Sequence, residues 1–322
     1  MTPPQDKPPI RLVLVWHLHQ PEYTDPTTGA PAMPWTRLHA LKDYADMAEH
    51  LARHPGVRAT LNVVPSLLDQ LLAIADPMDR SDPFLLVARK SPSALSSEER
   101  RFLVTHFFSF NRATMARGLT RVHELAALRG DYGQDPIPQS AVDRFGEEAL
   151  RDLQVLFHLA WSGPLLQREP RVRALREKGR RFTEEDKHEL LDIQRAFLLE
   201  VLPRLKRLQD SGRVELSVSA YYHPILPLLC DLESALEALP ALKLPAVRFR
   251  HPEDARAQIS GALARFDEIF GRKAAGGWPP EGAISESSLH LMGEAGYRWA
   301  ASDEDVLFAS LGERLPSERA AG

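Results

Sequence analysis

The first 65 residues constrain the fold more than any other stretch, because they write a strand, a helix and a second strand in direct succession. The run RLVLVWHLHQP starts at Arg11, is nearly continuous in its apolarity and is ended by Pro21. That is the pattern of a parallel strand buried on both faces. Residues 37 to 53 then place Leu38, Leu41, Tyr44, Ala45, Ala48 and Leu51 at helical spacing, and His54-Pro55-Gly56 ends them. VRATLNVVP, residues 57 to 65, is the second strand. Such a βαβ unit implies a parallel sheet.

From Ser66 to Gly212 almost everything reads as helix. Ser96 with Glu99 forms a capping-box pattern, and Thr183 with Asp186 resembles another. The gap is far longer than one crossover helix needs, so residues 66 to 212 are expected as a helical insertion between strands two and three. Strand three is RVELSVSAYYHP, residues 213 to 224. A helical stretch follows, then a strand-like GGWPPEGAIS, a short helix opened by Ser285, and a fifth strand in YRWAASDEDVL. Residues 1 to 10, with four prolines, read as a disordered leader and 311 to 322 as a polar tail. Residues 11 to 310 are then one α/β domain, a partial (β/α) barrel of about five strands.

The charge balance excludes several partners. With 40 basic and 44 acidic residues spread along the chain, no basic stripe is available for nucleic acid or anionic lipid. There is no signal-peptide pattern and no apolar run of ~18 residues, so a cytoplasmic chain without a membrane partner is expected. The lone Cys230 fits a reducing compartment and reads as a small buried residue.

Polar and aromatic residues gather where the strands end, in WHLHQP, TLNVVP, SAYYHP, WPPE and AASDED. In βα barrels the active site lies at that rim. His17 and His19, two apart on a strand, point to the same face. Either alone reads equally well as a hydrogen-bonded core histidine, and as a pair they also suit a metal site of the amidohydrolase or deacetylase kind, with His223 and Asp303 as further ligands. Glu281 sits in a glycine-flanked turn behind Trp278-Pro279-Pro280, a setting for an oriented carboxylate or for an ordinary surface glutamate. Asn62 either bonds a sugar hydroxyl or terminates its strand. Trp35, Tyr222 and Trp278 are candidate stacking platforms or core aromatics.

WHLHQP at residues 16 to 21, SAYYHPILPLL at 219 to 229 and GGWPPEGAISE at 276 to 286 resemble the first three motif regions of glycoside hydrolase family 57, in its α-amylase-like branch. The similarity covers roughly residues 10 to 308. It implies an incomplete (β/α) barrel of the seven-stranded type, acting on α-glucans or maltooligosaccharides with retention of configuration and no metal or other cofactor. The family's nucleophile, in a Trp-x-x-Glu setting, falls on Glu281. Its sugar-contacting motifs fall on His19, Gln20 and Pro21, with His17 beside them, and on Tyr222 and His223. Asp303 is expected as a pocket residue.

Retaining glycosidases need two carboxyl groups ~5–5.5 Å apart. The resemblance puts the general acid in a fourth motif, Arg-Asp-x-x-Leu-Ser-Asp, which the 322 residues do not contain. Three expectations follow from that departure: a hydrolase or glucanotransferase with Glu281 as nucleophile, association with a second chain that completes the barrel, and, as the contrasting reading, a non-catalytic glucan-binding remnant.

Overall fold

The computed structural model describes residues 11–74, 81–132 and 137–312. The expected leader at 1–10 and the tail from 313 onward lie outside the described residues. The fold is α/β, mostly helical with few and parallel strands. The chain divides into two compact units, one made of Met1–Pro21, His54–Ser66 and Leu208–Gly322, the other of Glu22–Arg53 and Leu67–Arg207.

The first unit carries the strands: β1 Val15–Leu18, β2 Ala59–Val63, β3 Val214–Val218, β4 Gly276–Gly277 and β5 Trp299–Ala300. They fall within the five segments expected, each shorter than the apolar run that marks it. β1, β2 and β3 form one parallel sheet in that order, and β4 pairs with β5 in a second. β2 is central, and its Leu61 and Val63 on one face and Asn62 on the other are wholly buried, as a strand covered on both faces should be. β1 is an edge strand, and the residues that lead into it, Leu12 and Val13, are 81% and 75% exposed.

β4 stops after two residues because Pro279 and Pro280 follow it, and proline has no N–H to extend a ladder. It packs tightly on the end of β3. A Cβ at Gly277 would stand 2.3 Å from the Val218 carbonyl oxygen, so only glycine allows this approach. The Tyr297 hydroxyl donates to the same carbonyl at 3.0 Å, and burial pushes its phenol pKa up. The fifth strand, expected to run on through Leu307, ends at Ala300. Asp303 instead caps a helix, Glu304–Leu311, its side chain accepting from the Asp305 N–H. The helix Pro252–Phe270 buries Ala255, Ile259, Ala262, Phe266 and Phe270 at helical spacing and ends at Gly271.

The second unit is helical. Residues 37 to 53, expected as one helix, are Trp35–His39, a π-helical turn Ala40–Tyr44, and Ala45–Arg53. The wider turn frees the Leu41 carbonyl to accept from the Gly163 N–H at 3.2 Å. Both expected capping boxes are present, Ser96 with Glu99 and Thr183 with Asp186. The central helix Glu147–Trp161 is buried on nearly every side, including Asp152, Gln154 and His158. Among the described residues no helix is long and apolar enough to cross a membrane.

Candidate active site

Strand register builds the first row of the candidate site. His17 on β1 stands opposite Asn62 on β2, and Asn62 opposite Ser217 on β3, so the three side chains lie on one face of the sheet. The His17 Nδ1–H donates to Asn62 Oδ1 at 2.8 Å, and Asn62 Nδ2 donates to Ser217 Oγ at 3.0 Å. Ser219 Oγ lies 2.7 Å from Asn62 Oδ1 and 2.6 Å from the Trp278 carbonyl oxygen. Asn62 is fully buried. Its amide is spent on holding His17 and tying β3 to the Trp278 segment.

His19 follows β1 on the same face as His17, their ring centroids 5.6 Å apart. The third ring comes from beyond β3. His223 lies 4.9 Å from His17 and stacks on His19 at 4.1 Å. It reaches this position with φ at 57°, a left-handed backbone that costs a non-glycine residue about 1–2 kcal/mol. Burial, reinforced by the neighbouring imidazoles His19 and His17, pulls the His223 pKa down to about 3. Burial also lowers His17 and His19, against a counter-pull from Glu281.

Glu281 occupies the turn Pro280–Gly282 and is itself left-handed, with φ 57°. Among the described residues only Arg181, His223 and Glu281 combine a side chain with positive φ, so two of these three conformations meet here. The turn is supported from both sides. Trp278 lays its ring against Gly282, where an added Cβ would meet it at 3.2 Å, and Ser302 Oγ donates to the Gly282 carbonyl at 3.3 Å. The Glu281 side chain stays 67% exposed, with Oε1 3.6 Å from His223 Nδ1, while the His223 side chain is 5% exposed.

The remaining expected residues divide. The Gln20 carbonyl accepts from Ser66 Oγ at 3.1 Å, which fastens the end of β1 to the start of the helix after β2. Tyr222 is exposed, its N–H donating to Gln258 Oε1 at 2.9 Å. Trp35 belongs to the helical unit, where its ring packs against Phe84 and Trp161. Asp303 is the helix cap already described, and the group of potential ligands that converges here consists of His17, His19 and His223. Ser217 and Ser219 were missed by sequence reasoning. Their signal was the period-two alternation of hydroxyls with Leu216 and Val218 in an otherwise apolar strand.

A cavity of about 250 Å³ lies within the helical unit, lined in part by Thr36, Arg37, Gln70, Asp82, Gln194 and Arg195. Its polar groups largely serve one another. Arg37 grips Asp82 through two bonds of 2.6 and 3.1 Å, and Thr36 Oγ1 donates to Gln70 Oε1 at 3.0 Å.

With this geometry in hand, the family model described as glycosyl hydrolase family 57 matches residues 13–319. No curated protein matches the chain. Among the solved structures that resemble it are the following three. An α-amylase from Thermotoga maritima is 12% identical, with a TM-score of 0.45, and the likeness covers 90% of this chain and 39% of that one. A branching enzyme from Thermococcus kodakaraensis, solved with glucose, is 18% identical with a TM-score of 0.42, covering 89% and 38%. A branching enzyme from Pyrococcus horikoshii is 18% identical with a TM-score of 0.40, covering 89% and 40%. The chain thus spans about two fifths of the length of these structures.

Proposed function

The chain belongs to glycosyl hydrolase family 57, and from that premise we propose that the strand-tip cluster is the sugar-binding and nucleophilic half of a retaining α-glucan site. Glu281 is its nucleophile. The observation that carries this reading is the Glu281 turn itself. An exposed carboxylate is held on a strained backbone between two prolines and a glycine, beside Trp278 and within reach of His223. Strain of this kind persists where surrounding structure enforces it, and such places are commonly functional.

In this mechanism Glu281 attacks the anomeric carbon, the bond to the leaving oxygen breaks, and a glycosyl ester forms. Water or another sugar hydroxyl then takes the glycosyl group, giving hydrolysis or transfer. His17, His19 and Gln20 orient hydroxyls, with Asn62 fixing His17. Trp278 and Tyr222 offer faces for stacking, Trp35 remains a candidate platform, and Asp303 a candidate pocket residue. The second carboxyl group belongs to the fourth motif, which these 322 residues lack, so the leaving oxygen has no acid assigned within them.

We read the five parallel strands as part of the seven-stranded incomplete barrel, with the helices between β2 and β3 as its insertion. The unpaired side of β1, led by exposed Leu12 and Val13, is then a place where another chain completes the sheet. A single buried cysteine and the absence of basic stripes keep the reading cytoplasmic.

α-Maltosyl fluoride tests the nucleophile directly, because fluoride leaves without a proton and no general acid is needed. The C–F bond breaks, a C–O bond to Glu281 forms, and the chain gains one maltosyl unit by intact mass. Glu281→Gln should gain none. An unlabelled chain that still binds maltooligosaccharide would replace this reading with the glucan-binding remnant, and loss of both would end it.

A further inference from the structure

The three strand-tip histidines are packed more closely than sugar recognition requires. One ring nitrogen from each of His17, His19 and His223 lies within 4.8 Å of the other two. The backbone enforces the convergence: His17 on β1 and His19 just past its end share a face, and the third ring is swung in by a left-handed residue.

Two features direct lone pairs rather than N–H groups into the cluster. His17 spends its Nδ1–H on Asn62, which leaves Nε2 as the acceptor nitrogen, and Asn62 is in turn anchored by Ser217 and Ser219. Ligand histidines are commonly oriented in this way, through a hydrogen bond from the ring nitrogen that does not coordinate. His223 Nε2 is buried with no hydrogen-bond partner, on a side chain that is 95% buried. A buried polar atom left unpaired costs about 1–3 kcal/mol. The same ring turns Nδ1 toward Glu281, 3.6 Å away, which supplies a carboxylate oxygen at the rim of the cluster.

We propose that His17, His19 and His223 bind a divalent cation of the zinc class, with the Glu281 carboxylate steadying His223 from its Nδ1 side, and that the bound cation excludes glycosyl transfer from the site. Three imidazoles with an open fourth position suit zinc in tetrahedral geometry, whereas calcium and magnesium favour all-oxygen sets. Coordination draws the ring nitrogens to ~3.4 Å from one another, as Zn–N bonds of ~2.0–2.1 Å require. Exclusion has two causes. A Glu281 carboxylate drawn toward the cation-bound His223 is a weaker nucleophile, and a dication beside the anomeric centre opposes the positive charge that develops there in an oxocarbenium-like transition state. The exclusion rests on the reading of the site as a glucan site, while the cation site rests on geometry alone.

The test is calorimetric titration of the metal-free chain with zinc chloride, followed by metal analysis after desalting. One zinc per chain is expected. His17→Ala and His223→Ala should weaken binding by at least tenfold, Asn62→Ala by roughly 10–100-fold through the lost support, and His50→Ala, on an exposed part of the helix Ala45–Arg53, not at all. Should a histidine variant fail to fold, cobalt(II) in the unaltered chain decides: tetrahedral ligand-field bands support the site, and an octahedral spectrum overturns it. Binding that survives both His17→Ala and His223→Ala also overturns it. Maltosyl fluoride labelling is then run with saturating zinc and with chelator. Labelling blocked only by zinc supports exclusion, and labelling indifferent to zinc refutes it. If labelling fails in both, the glucan reading falls while the titration still decides the cation site.

Discussion

His158 and His223 share the same perturbation in different surroundings. Both are pushed down to about 3, in each case chiefly by burial, and both carry an Nε2 that is buried without a hydrogen-bond partner. His158 lies in the helical unit inside a closed polar network. Its Nδ1–H donates to Gln194 at 2.8 Å, the Gln194 amide returns to the His158 carbonyl at 3.0 Å, and Ser162 Oγ donates to the same carbonyl at 2.9 Å. Arg37, the next cause of its low pKa, is itself clamped by Asp82. His223 instead sits among like groups, two more imidazoles, with a carboxylate at the rim. A perturbed pKa therefore does not identify a site. What separates the two is whether neighbours complete one another's hydrogen bonds or leave donor atoms of one kind facing each other.

Experiments can break this contrast in order of expected size. Glu281→Gln should abolish maltosyl ester formation, since a carboxamide offers no carboxylate to form the ester, while shifting unfolding free energy by less than about 0.5 kcal/mol. A large loss of stability would make Glu281 structural and erase the distinction. Arg37→Ala should do the reverse. It leaves Asp82 buried without its partner, a change worth about 3–5 kcal/mol in urea unfolding, and maltooligosaccharide affinity in the surviving folded fraction should hold.

Asn62→Ala tests the border between the two classes, since a buried amide here serves a histidine proposed to bind sugar. About 2 kcal/mol of stability should go with its hydrogen bonds, and His17, no longer oriented, should bind sugar more weakly. Unchanged affinity would reduce Asn62 to a strand fastener. A further effect is a slope. His158 stays neutral in the folded chain down to about pH 3 but protonates near 6.5 when unfolded, so between those values the unfolded chain holds more protons. Its contribution to stability is complete above pH 6.5 and declines as pH falls through the window, by about 1.4 kcal/mol per unit. Urea unfolding from pH 7 to 4.5 should show that decline, and His158→Gln should reduce it, leaving the share that His223 contributes.

Much of the fold could be read in advance because β1, β2 and β3 announce themselves as apolar runs, and because Ser96 and Thr183 cap their helices by local rules. What escaped depends on distant partners. The π-helical turn at Ala40–Tyr44 exists because Leu41 meets Gly163, a neighbour that helical spacing does not reveal. DEDVL read as strand because its apolar residues are β-formers, but Asp303 prefers to cap. Within the site, the alternation of His17 and His19 was visible. The left-handed turn that brings His223 onto them was not, since His-Pro after a strand looks like an ordinary stop. Asn62 stood evenly between two roles until the register paired it with His17 and Ser217.

That register also sets an order of events in time. The His17 to Asn62 bond spans 45 residues and the Asn62 to Ser217 bond 155. Closing the longer loop costs only about 1 kcal/mol more, but the delay is substantial. At ~5–20 residues per second of synthesis, β2 waits roughly 8–30 s for β3 to emerge, while the helices between them form from local contacts. The row of His17, Asn62 and Ser217 is accordingly completed only after the helices between β2 and β3 have emerged, and the interval in which β2 lacks its partner is when the nascent chain is most open to mispairing.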